Sequence, residues 1–149
     1  MKYLKLTPLL LAVAFLLYFF FGASKSNNQT SQSPSTSQSQ WETKTNDQPP
    51  VSLKITPLEL GLNAKIWKFA VIFDAHSGSL DDDPLRVTQL ADDNGKTYAP
   101  TTWEGAGPGG HHREGMLIFN AIQPFPKYVE LRVKNVGGIP VRSFRWDMR

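Results

Sequence analysis

From Val51 onward the chain consists of short apolar runs broken by Gly, Pro, Asn and Asp. Trp67, Phe69, Val71 and Phe73 occupy alternate positions, so a strand there carries all four on one face. Val129, Leu131 and Val133 alternate with Glu130, Arg132 and Lys134, the pattern of a half-buried antiparallel strand. Phe144, Trp146 and Met148 alternate with Arg145, Asp147 and Arg149 in the same way. Leu117 and Phe119 against Met116 and Ile118 predict a strand that is apolar on both faces. Asp92-Asp93-Asn94-Gly95 has hairpin-turn composition and lies between Leu85–Leu90 and Lys96–Thr102. Val136-Gly137-Gly138-Ile139-Pro140 predicts the last turn, and Val51–Thr56 the opening strand. Leu58 to Asn63 fits either a second short strand or an irregular edge, since Pro57 and Gly61 oppose a helix.

About seven strands at this spacing predict an immunoglobulin-like antiparallel β-sandwich over residues 51–149, with a small β-barrel as the alternative. No stretch beyond the N-terminus has a convincing helical period. The chain has no Cys, so the core must hold without disulfides, which a domain of this length can do. The same absence excludes thiolate metal sites and a Cys nucleophile.

The first residues follow a different pattern. Lys2 and Lys5 precede an apolar run from Leu6 to Ala23 that, as a helix, spans roughly 27 Å, close to a hydrocarbon core. Residues 1–23 are therefore expected to be a transmembrane anchor or a signal peptide. Gly22 and Ser24 could serve a cleavage site, but Tyr18-Phe19-Phe20-Phe21 places bulky aromatics where that site should relax, so an uncleaved anchor is favoured. The two lysines put the short end in the cytoplasm and the domain outside it, as a single-pass membrane protein, or as a secreted one if the segment is cut. Residues 24–50, rich in Ser, Thr, Asn and Gln, lack the apolar surface to offset ordering entropy and are expected to be a disordered tether ending at Pro49-Pro50.

Charge then narrows the partners. The chain carries 16 Lys+Arg and 13 Asp+Glu. Lys2, Lys5, Lys25 and Lys44 against Glu42 and Asp47 hold most of that surplus, leaving the folded part near neutral. A nucleic-acid reader would show a basic stripe there, so no nucleic-acid partner is expected.

Three histidines are the leading candidates for chemistry. His76 follows the Phe69–Asp74 strand, and His111 and His112 follow the glycine-rich Gly105–Gly110. Imidazole suits zinc or copper(II), so His76, His111 and His112 are the candidate ligands of a transition-metal site. On an extended backbone His111 and His112 point to opposite faces, whereas the preceding glycines permit another path. Asp81-Asp82-Asp83 with Asp92, Asp93 and Asn94 could offer hard oxygens to calcium, but a solvated turn explains them better. The glycine loop with Arg113 lacks the following helix that a phosphate cradle needs. His76-Ser77 cannot form triad geometry as adjacent residues, and no nucleophile elbow is present, so the domain is not expected to be an enzyme. Trp103, Glu104 and Met116 either line a pocket at the loop end or cap the core.

Asp74-Ala75-His76-Ser77, Leu90–Tyr98, Trp103-Glu104-Gly105, Gly109-Gly110-His111-His112-Arg113 and Gly137-Gly138 with Phe144-Arg145-Trp146 occur in this order. The set, over about residues 65–147, resembles uncharacterised secreted or membrane-anchored bacterial and archaeal proteins with an immunoglobulin-like sandwich domain. The resemblance implies that fold and an extracytoplasmic location, and no activity. The expected function is a membrane-tethered binding domain holding a transition metal through its His cluster. The alternative is a structural or protein-interaction module of an envelope assembly without a metal, which calls for an exposed apolar patch or an open sheet edge.

Overall fold

The computed structural model describes residues 41–148, so the run Leu6–Ala23 and the tether up to residue 40 lie outside the described residues. Among the described residues no helix is long and apolar enough to cross a membrane. They form nine strands and one helical turn: β1 (Lys44–Gln48), β2 (Val51–Glu59), β3 (Ile66–Ala75), α1 (Pro84–Val87), β4 (Thr88–Asp92), β5 (Thr97–Tyr98), β6 (Thr102–Gly105), β7 (His112–Asn120), β8 (Tyr128–Val136) and β9 (Ile139–Asp147). Two sheets result, one ordered β1-β2-β3-β7-β6 and the other β5-β4-β8-β9. Every neighbouring pair is antiparallel.

The alternation expected from the sequence sets the faces. Trp67, Phe69, Val71 and Phe73 of β3, Val129, Leu131 and Val133 of β8, and Phe144 and Trp146 of β9 are all buried. Phe69 stacks edge-on against Phe119 of its own sheet at 5.7 Å and tilts against Trp146 of the opposite sheet at 5.6 Å. Those contacts stitch the two layers into one apolar core. Among the described residues the chain changes sheets three times, between β3 and β4, between β5 and β6, and between β7 and β8.

Three elements depart from the sequence reading. Folded structure starts before Val51: Lys44–Gln48, placed in the tether by composition, pairs in register with Val51–Ile55, and Pro49-Pro50 is the turn between them. Prolines are acceptable there because neither N–H is needed by the ladder. The second departure is α1, in a stretch where no helix was expected. Asp83 caps it by accepting from Leu85 N–H at 3.0 Å, with Pro84 at the first turn. The third resolves the ambiguous piece: β2 continues through a bulge between Pro57 and Glu59, and Leu60 buries beyond it.

Candidate interaction site

The β3–β7 register brings the three histidines to one end of the larger sheet but gives them different roles. His112 opens β7 directly opposite Asp74. Its Nδ1 lies 2.5 Å from Asp74 Oδ1, and its Nε2 lies 3.6 Å from Glu114 Oε2. The Asp74 carboxylate raises the imidazole pKa above its ordinary value, outweighing partial desolvation, and Glu114 adds to the effect. His111 contributes backbone here, accepting from Ala75 N–H at 2.7 Å, while His76 donates its backbone N–H to Pro50. All three residues are exposed. Among the described residues no group of three His, Asp or Glu side chains stands together in a way that could hold a metal ion. The expected ligand set is thus near one end of the sheet without being a chelate. A count of histidines carries no information about where their rings point.

The acidic clusters serve the fold. Asp81 accepts from Ser79, and Asp83 caps α1. Asp92 gathers Asn94 N–H, Lys96 N–H and Tyr98 O–H, each at 2.9 Å. Burial alone would raise its pKa; the Tyr98 hydroxyl, the two N–H groups and the Lys96 charge outweigh that and hold the carboxyl below its usual range.

Arg113, weighed above only as an anion partner, and Arg142, which the sequence pattern did not single out, are both buried. Arg113 donates to the carbonyls of Ala106 (2.9 Å), Leu80 (3.3 Å) and Asp82 (2.6 Å), with its guanidinium over the Trp103 ring. It ties the glycine-rich loop to the Leu80–Asp82 loop, and Trp103 caps the core against Phe73. Arg142 joins the two sheets. It donates to Val136 O (2.9 Å) in its own hairpin and, across the sandwich, to Gln48 O (3.0 Å) and Val51 O (2.9 Å). Burial pushes its guanidinium pKa down. Both occupy the inward phase of their strands, two residues from Gly115 and Phe144 respectively. That phase was the signal that could have found them.

A groove of about 710 Å³ runs between the start of β1, the Leu60–Asn63 loop and the end of β9. Trp41, Leu60, Leu62 and Trp146 give it apolar surface, and Glu42, Lys44, Asn63, Arg145 and Asp147 give it a polar rim. Trp146 donates its indole N–H to Glu42 O at 2.8 Å, holding the lead into β1 against β9. Trp67 likewise donates to Gly61 O at 3.1 Å and fixes the loop. The rim charges come as two pairs, Lys44 with Glu42 at 2.9 Å and Arg145 with Asp147 at 3.1 Å. Trp41 belongs to the polar stretch 24–50 that composition assigned to the tether.

Beside the groove, β9 is the outermost strand of its sheet. Met148 N–H bonds to Lys127 O across the end of the β8–β9 ladder. Backbone groups alternate sides along an antiparallel strand, so Trp146, Phe144 and Arg142 also address β8. Val141, Ser143, Arg145 and Asp147 therefore turn their N–H and C=O groups outward. No backbone bond joins these groups to another described residue. Comparison with known proteins finds no match among family models, curated proteins or solved structures.

Proposed function

We propose that this chain is a membrane-tethered, extracytoplasmic module for protein interaction, non-catalytic and immunoglobulin-like in kind, with its docking surface at the seam between β1 and β9. The single observation that carries this reading is the long outer edge of β9 lying beside the Trp41–Leu62 groove. An outer edge of this kind is a template for an added strand, and this one lies beside a groove with Leu62 and Trp41 inside a polar rim. The location rests on Lys2, Lys5 and the apolar run that follows them. The interaction reading is preferred to metal binding because the three histidines do not converge with other ligands. It is preferred to catalysis because the charged groups of the groove are already ion-paired side by side, with no free acid–base couple among them.

The test is site-specific photo-cross-linking in the native cells. A photoreactive side chain at Leu62, which is 59% exposed on the groove, should trap one defined envelope protein. The same group at Ile66, exposed at the start of β3 and outside the groove lining, should not. Trapping from Ile66 alone, or from neither position, would overturn the assignment.

A further inference from the structure

Resting on that reading, we infer that the partner presents an extended segment that adds to β9 as a fifth strand and inserts one apolar side chain into the groove. Val141, Ser143, Arg145 and Asp147 each offer an outward N–H and C=O, evenly spaced along one line. A helix satisfies its own backbone and cannot use such a row; an extended chain can bond to all of it. Ile139 closes the β8–β9 turn opposite Val136 and Asp147 ends the strand, so the paired stretch runs from Val141 to Asp147.

Side-chain direction then fixes what the segment carries. Cross-strand neighbours point to the same face, so the incoming residue opposite Trp146 points between the sheets, where the groove lies. It would meet Leu62, the exposed apolar side chain of the groove, and the half-buried Trp41 ring, Leu60 and Trp146 being already buried in the core, which favours a Leu, Ile, Phe or Met. The residues on either side of it point outward beside Arg145 and Asp147, whose charges cancel and select no net charge. The ligand class is an extended peptide on the order of seven residues, alternating in pattern, with one apolar anchor at an inward position.

Panning of a phage-displayed random dodecapeptide library against the full-length protein in detergent tests this. The expected result is enrichment of segments with a single apolar anchor flanked at alternate positions by polar or β-branched residues. The best synthetic peptide should bind roughly tenfold or more weakly to Ser143→Pro, which removes an outward-facing N–H, and to Leu62→Asp, which charges the groove. On the wild type, that peptide should slow amide exchange at Val141, Ser143, Arg145 and Asp147, a readout independent of whether Ser143→Pro folds. Loss with Leu62→Asp alone, without exchange protection on β9, would overturn strand addition. Loss with Ser143→Pro alone would overturn the anchor in the groove. No enrichment, while Leu62 still cross-links a protein partner, would sink this inference and leave the proposed function standing. Self-association of the chain abolished by Ser143→Pro, with no peptide selected, would show a second copy as the occupant and refute the hetero-partner.

Discussion

Replacing Arg142 with methionine keeps the apolar stem and removes the guanidinium that joins the Gln48–Val51 turn to the β8–β9 hairpin. Three carbonyls lose a charged donor, each such bond being worth about 1.5–3 kcal/mol. Against that, the variant no longer desolvates a cation, and the Nε of Arg142, which has no hydrogen-bond partner, goes with it. Gln48 O is only partly buried and can recruit water, while Val136 O and Val51 O are enclosed. The net loss expected is about 2–4 kcal/mol, a large share of the stability of a domain this size. Arg142→Lys should recover only part of it, because one ammonium on a flexible stem cannot span three acceptors held by a planar fork. Urea unfolding followed by tryptophan fluorescence measures both variants, with the slope checked for constancy. A loss below about 0.5 kcal/mol for Arg142→Met would refute the claim that this side chain staples the sheets.

Trp67→Ala should cost about 3–5 kcal/mol in the same assay, since the indole is fully enclosed and meets Phe125 edge-on at 6.1 Å; a surface-like loss would show the face assignment wrong. His112 stabilises the fold most when protonated: its contribution is complete below the ordinary imidazole pKa and fades as pH rises through the raised folded value, with Asp74 and Glu114 facing it as carboxylates. The difference in melting temperature between wild type and His112→Asn should therefore shrink from about pH 5.5 to about pH 8.5, and a difference that grows over that range would contradict the pairing. Zinc or copper(II) titrated into the full chain should show no saturable one-to-one site that disappears in a His76/His111/His112 triple-alanine variant; such a site would restore the metal reading.

The central strands were legible because a period of two with large apolar residues has one physical solution, a face turned into a core. Trp67–Phe73 and Val129–Val133 are the clearest cases. β1 was not legible: Lys-Thr-Asn-Asp-Gln has neither alternation nor β propensity, and pairs because β2 offers it a ladder. Arg113 and Arg142 were hidden for the opposite reason, being charged residues in inward phase whose partners are carbonyls tens of residues away. The groove was beyond the sequence altogether. It joins Trp41, Leu62 and Trp146, and their approach depends on how two sheets close at one seam. The histidines came to one end of a sheet as their flanking strands required, yet convergence on a metal depends on ring directions that no spacing encodes.

The account stands or falls on the outer edge of β9, and residue-by-residue amide exchange of the full chain by NMR tests that edge most directly. The expected profile alternates: Arg142, Phe144 and Trp146, bonded to β8, exchange slowly, while Val141, Ser143, Arg145 and Asp147 exchange fast. Uniform slow exchange along the strand would mean the edge is already covered, and a partner would have no ladder left to join.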